Sequence, residues 1–404
     1  MKRFYCPELD ALRFWACASV FSLHASVQFM GKGGFVANLP PGPQRLLAAI
    51  IRSGSIGVDL FFCISAFLIT TLILREREMR GGDFRLGDFF WRRALRIWPL
   101  YFGFILVFMV WQPLEPGIRS VHIVMNLLFL GNFSFMLFGI NGTTGHLWTI
   151  GMEEQFYFVW ALTLKFKPKE IGIGKLCAYG LLFSAAYKAF CVSRGIGLWI
   201  NSPARLDAIF AGIWFADAIR KRGWAPSGRV RLLLLSAGLI GPPFLFLFMD
   251  SFQPWGTRVA WGALTFYPLA ALCCLCLFGA VYGQRLVKVP ESLSYLGKIS
   301  YGLYVFHPPV LFAVDALLPD AGTRDLWVRI ARAGSFVGLS AFVTLALAMA
   351  SYRWFELPFL KLKDRFSTVP SGDLPDGSGS TKRTMRPASA AEAQNPAPAE
   401  ATGL

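Results

Sequence analysis

Residues 12–24 read LRFWACASVFSLH, a stretch apolar enough to lie in a membrane that nevertheless carries Arg13 near one end and His24 at the other. On a helix turning ~100° per residue this separation returns to within about 20° of the same face, about 16 Å further along the axis. Ionisable groups inside a bilayer are costly and face a bundle interior or a wet cavity. The pair therefore marks a path from a membrane surface into the core of a helical bundle.

The rest of the chain agrees with that reading. Its 404 residues are 55% hydrophobic and 16% charged, with a mean hydropathy of +0.49, too apolar for an ordinary soluble domain. The expected fold class is an all-α polytopic membrane protein. Apolar runs long enough for a hydrocarbon core of ~30 Å fall at 11–29, 53–74, 97–112, 148–164, 175–192, 203–219, 232–249, 259–282, 299–316 and 334–353, giving about ten transmembrane helices. Basic segments at 75–96, 165–175, 220–231, 285–298 and 353–365 belong in the cytoplasm by the positive-inside rule. They also account for the formal charge of +16, so nucleic acid is not an expected partner. One further stretch, VHIVMNLLFLGNFSFMLFGI at 121–140, would upset this alternation if it crossed. Asn126, Gly131, Asn132 and Ser134 interrupt it, so it is expected to be a re-entrant or interfacial segment packed against protein. Both termini are then cytoplasmic. No small-residue cleavage site follows the first run, which argues against a secretory signal peptide. From about 367, Ser, Pro, Ala, Gly and Thr dominate, predicting a transmembrane domain over 1–366 and a disordered cytoplasmic tail over 367–404. The eight cysteines lack metal-type spacing and lie mostly in apolar runs.

Several short stretches carry chemistry. GVDLFFCISAFLIT (57–70) sets Asp59 at the outer start of the second span, where it either pairs with a cation such as Arg13 or His24 or caps the helix. WRRALRIWPLY (91–101) places Arg93 and Arg96 on one helical face at the cytoplasmic border. Two guanidinium forks there suit a phosphate-bearing ligand, and they suit topology or lipid headgroups equally well. In HLWTIGMEEQFYFVW (146–160) the adjacent Glu153 and Glu154 point to different faces, so at least one meets a polar interior; Glu153 shares its face with Phe156 and Tyr157. ARLDAIFAG (204–212) offers Arg205 and Asp207 as a local structural pair or as acceptor-binding groups. In SYGLYVFH (300–307), Ser300, Tyr304 and His307 form a polar stripe. His307 is either catalytic or a hydrogen-bonded structural histidine ahead of the Pro308–Pro309 kink. His122 and His146 lie near expected outer borders and need no special role.

Taken in order over about residues 7–360, these pieces resemble the acyltransferase-3 family of membrane O-acyltransferases. The resemblance rests on Arg13 and His24, GVDLFFCISAFLI, the Arg93 and Arg96 pair, LWTIGMEEQFY, RLDAIFAG, SYGLYVFHPPV and FELP at 355–358. It departs at Ala66, where glycine is usual, and at Thr149, where serine is usual. The resemblance implies a ten-span core in a bacterial inner membrane, a cytoplasmic acyl-CoA donor, by default acetyl-CoA, and no metal. The implied acceptor is a hydroxyl of a glycan or another cell-envelope or secreted compound near the outer side. It also implies that Arg13 and His24 matter most and that Arg93 and Arg96, with Arg13, meet the donor. His24 then serves as general base, Arg13 faces the donor or the histidine, and Glu153 orients His24 or binds the acceptor. His307 holds the cavity or assists, and an acyl-histidine intermediate stays open. Asp59, Glu154, Tyr157, Arg205, Ser300 and Tyr304 complete the site. Some relatives add a soluble esterase-like domain, so this chain reads as a short, single-domain form. The competing class is a carrier for a glycan or acylated lipid using the same groups, for which matching halves are not evident in the sequence. A purely structural scaffold leaves His24, Glu153 and the Ser300–His307 stripe without a purpose.

Overall fold

The computed structural model describes residues 4–30, 40–108, 116–139, 144–168, 170–248, 262–283, 288–318 and 325–369, which are helical with no strand among them. The segment holding Arg13 and His24 is α1 (Pro7–Met30), opened by a proline that suits a first helical turn and by Glu8 and Asp10 against the helix dipole. The amphipathic α2 (Pro41–Ser53) turns at Gly54 into α3 (Ile56–Met79). Then follow α4 (Leu86–Phe108), α5 (Pro116–Leu127), α6 (Gly131–Phe138) and α7 (Trp148–Phe166). The second half runs α8 (Ile173–Ser193), α9 (Leu206–Arg222), α10 (Gly228–Phe248), α11 (Ala263–Val281), α12 (Glu291–Lys298), α13 (Ser300–Leu317) and α14 (Leu326–Ala350). A π-helical turn at Ser351–Glu356 leads into α15 (Leu357–Lys363).

Each expected span falls on a helix, although positions 109–112, 249 and 259–261 and the tail beyond 369 lie outside the described residues. Five stretches among them are long and apolar enough to cross a membrane: Pro41–Met79, Ile173–Ser193, Gly228–Phe248, Leu264–Val281 and Trp327–Phe366. Helices α1, α4, α7 and α9 are less apolar because they carry Asp10 and Arg13, Arg93 and Arg96, Glu153 and Glu154, and Asp207 and Asp217. Most of these groups turn inward. The periphery is the reverse: Leu182, Leu232, Ile240 and Phe342 are each more than 60% exposed on α8, α10 and α14. Apolar side chains outside and ionisable ones inside are the arrangement a lipid surround favours.

At the centre, α3 packs along α1, α9 and α11, and glycines set how closely. A Cβ at Gly57 would stand 2.5 Å from the Ala16 carbonyl oxygen, and one at Gly212 would stand 2.1 Å from that of Cys63. Small residues at these crossings bring helix backbones together.

The interrupted stretch, described over 121–139, is broken, as its polar residues foretell. Phe129 takes a left-handed φ of +58° between α5 and α6, which at 12 and 8 residues reach only about 18 and 12 Å. Polar groups then satisfy the interrupted backbone. Tyr101 Oη donates to the Asn126 carbonyl at 2.8 Å, and Gln155 Nε2 donates to the Phe129 carbonyl and to Asn132 Oδ1, each at 2.8 Å. His122, buried here, bonds Ser134.

Candidate active site

A pair of histidines lies where α1 and α13 pack together. His24 Nδ1 is 2.8 Å from His307 Nε2, their rings lie at an interplanar angle of 11°, and His307 Nδ1 is 2.7 Å from the Tyr304 carbonyl oxygen. His307 is 1% exposed. A mostly apolar cavity of about 540 Å3 opens beside this pair, lined by His24, Gln28, His146, Trp148, Trp199 and Tyr304 among others. Gln28 is held by Asp315, to which its Nε2 donates at 2.8 Å.

The other end of α1 meets a different environment. Arg13, Arg93 and Arg96 line two smaller cavities of about 70 and 90 Å3, one shared with Asp10 and Lys363, the other with Ser65, Glu153, Tyr157 and Ser300. Arg13 donates to Asp10 at 3.4 Å, and Arg93 lies over the Tyr157 ring at 5.4 Å. Two acids, Asp10 and Glu153, face four arginines, Arg92 among them, and Lys363, leaving a cationic excess suited to an anion. Val58 and Tyr304 line both the 90 Å3 cavity and the 540 Å3 cavity, so they form the wall between arginines and histidines.

This geometry excludes one of the open readings at each of three positions. Glu153 does not orient His24. It accepts from Tyr157 Oη at 2.5 Å and Ser65 Oγ at 3.2 Å, because its turn of α7 faces α3 and the arginines. Glu154, on the adjoining face, accepts from Trp98 Nε1 at 3.1 Å. Asp59 pairs with neither Arg13 nor His24: Arg205 Nη2 lies 2.9 and 3.0 Å from its carboxylate oxygens. Arg205 and Asp207 are likewise not a local pair, since residues two apart on a helical turn do not face each other. Asp207 instead accepts from Lys188 Nζ at 2.7 and 2.8 Å, and the Arg205 guanidinium stacks between Trp199 and Tyr267 at 4.6 and 4.5 Å. These two buried ion pairs tie α3, α8 and α9 together beside the larger cavity.

The Ser300–His307 stripe is divided between the cavities. Ser300 borders the arginines, His307 meets His24, and Tyr304 spans both, its hydroxyl 2.8 Å from Thr149 Oγ1. Sequence reasoning passed over His146. Its Nε2 is 3.1 Å from the Val305 carbonyl oxygen, its ring centroid is 5.6 Å from that of His307, and it lines the larger cavity. Only its place just ahead of the Glu153 helix signalled it, whereas its contact lies 159 residues away. Lys188 was also missed, although a lysine inside an apolar run signals a buried partner. Among the described residues no three His, Cys, Asp or Glu side chains are gathered as a metal site requires.

Comparison with known proteins adds an independent line. A family model described as an acyltransferase domain matches residues 7–353. The peptidoglycan O-acetyltransferase OatA of Listeria monocytogenes is 25% identical over 385 residues, covering 89% of this chain and 56% of the relative. The O-acetyltransferase OatA of Staphylococcus aureus is 26% identical over 389 residues, 88% of this chain and 57% of its own. The putative peptidoglycan O-acetyltransferase YrhL of Bacillus subtilis is 25% identical over 386 residues, with 88% and 55% covered. The chain thus spans a little over half the length of these curated relatives. No solved structure matches it.

Proposed function

This chain belongs to the acyltransferase-domain family, and we propose that it is a membrane O-acyltransferase that moves an acyl group, by default acetyl, from acyl-CoA to a glycan hydroxyl of the cell envelope. The observation that carries this reading is the wall of Val58 and Tyr304, with cationic cavities on one side and the His24 cavity on the other. CoA bears its phosphates and its thioester at opposite ends of a flexible arm. Arg93, Arg96 and Arg13 would hold the phosphates, and the arm would bring the thioester past Tyr304 to His24. His24 takes the proton of the acceptor hydroxyl as that oxygen attacks the thioester carbonyl. The C–S bond then breaks, and the CoA thiolate leaves and is protonated. A well-placed base contributes about 10²–10⁴-fold, and the rest comes from holding both substrates in a cavity of restricted water.

The positive-inside pattern supports ten crossings, cytoplasmic termini and a donor entering from the cytoplasm. The acyltransferase domain would then occupy 1–366 with a cytoplasmic tail after it. Peptidoglycan, the glycan in the names of two relatives, is the first acceptor to try. The test is free CoA release by purified protein in lipid, given acetyl-CoA and a panel of envelope glycans. Release should depend on one glycan and fall about 10²–10⁴-fold in His24→Ala. A carrier would bind the glycan and release no CoA, which would overturn the proposal.

A further inference from the structure

Helix α13 carries Pro308 and Pro309 in its interior. A proline lacks the N–H that would bond the carbonyl four residues earlier, so this pair frees the carbonyls of Tyr304 and Val305. Those are the two oxygens on which histidines sit: Tyr304 O is 2.7 Å from His307 Nδ1, and Val305 O is 3.1 Å from His146 Nε2. A carbonyl oxygen only accepts. His307 therefore carries its proton on Nδ1, and His146 carries one on Nε2.

The consequence passes to α1. With both rings neutral, His307 Nε2 has a lone pair and no proton, so the 2.8 Å bond to His24 Nδ1 is donated by His24. His24 is then the Nδ1–H tautomer, and its Nε2 is left as the basic nitrogen. We infer that Pro308 and His307 form a tautomer-setting relay, in which the carbonyl freed by the proline fixes His307, and His307 fixes His24 so that Nε2 takes the acceptor's proton. Resting on the transferase reading for its catalytic meaning, the relay makes His307 a positioning residue that acts through His24. When His24 Nε2 is protonated, Nδ1–H still donates to His307, so the cation keeps a partner. The same reasoning leaves His146 Nδ1 as a lone pair, buried and without a partner among the described residues.

The chain has four histidines, so 15N-histidine labelling of the full protein in lipid gives few ring signals, assignable by single substitutions. Protons on Nδ1 of His24 and His307 and on Nε2 of His146 are expected. A proton on His24 Nε2 in the neutral wild type overturns the relay, whether or not any acyl transfer is detected, so this outcome is separate from failure of the transferase reading. Pro308→Ala gives the second arm by restoring an N–H that competes for the Tyr304 carbonyl. Because alanine suits a helix interior better than proline, thermal stability should not fall. The kcat should nevertheless drop by about 10²-fold or more, with the acetyl-CoA KM little changed and His24 shifted toward Nε2–H; a misplaced tautomer has cost about 10⁴-fold in a serine-protease histidine. Unchanged kcat with an unchanged His24 tautomer would remove Pro308 from the relay. Should Pro308→Ala fail to fold, the wild-type spectrum still decides between the tautomers.

Discussion

At the scale of single residues, the sharpest demand is made by charges with no water. Lys188 is 1% exposed and its ammonium depends on Asp207. Removing one partner of a buried pair leaves an uncompensated charge, at a cost of about 3–5 kcal/mol, whereas replacing both by apolar groups of similar volume is often nearly neutral. Asp207→Leu should therefore lower the thermal midpoint in detergent sharply, and Lys188→Met combined with it should recover most of the loss. Equal instability of the single and double variants would mean that Lys188 finds another partner. Residue identities of this kind were only half legible. The sequence marks Arg13, His24, Glu153 and Arg205 as ionisable groups in apolar surroundings, and all four line cavities or make buried bonds. Their partners were not legible, because Asp59 finds Arg205 146 residues away and His24 finds His307 283 residues away. Chain spacing reports helix faces and says nothing of which helix lies opposite.

Helices were the most readable scale, since an apolar run of spanning length leaves the backbone few choices in lipid. The run at 121–140 also declared its break through Asn126, Gly131, Asn132 and Ser134. What periodicity could not show is the closeness of the crossings. Gly212→Ala would place a Cβ 2.1 Å from the Cys63 carbonyl, whereas Gly174 has no such neighbour within 4 Å. Backbone cannot yield as a flexible side chain does, so Gly212→Ala should destabilise α9 against α3 by about 1–3 kcal/mol. Gly174→Ala, near the start of α8, should be neutral or slightly stabilising. Thermal unfolding of the two variants side by side measures the contrast, and equal midpoints would contradict the close crossing.

For the whole molecule, two chemistries are set at different depths along α1. Cationic cavities surround Arg13, an aromatic-lined cavity receives His24, and Tyr304 stands between them. The two glycine-set crossings hold α3, which supplies Val58 and Ser65 to this arrangement, at a fixed distance from α1 and α9. On the proposed transferase reading, this division of labour should appear as a division of kinetic constants, measured as transfer of a labelled acetyl group from acetyl-CoA to glycan by purified protein in lipid. Arg93→Ala should raise the donor KM about tenfold or more with kcat little changed, as loss of a phosphate fork removes binding common to ground and transition states. His24→Ala should leave donor binding intact and lower kcat by about 10²–10⁴-fold. Normal turnover in His24→Ala, or loss of donor binding in that variant, would contradict the account.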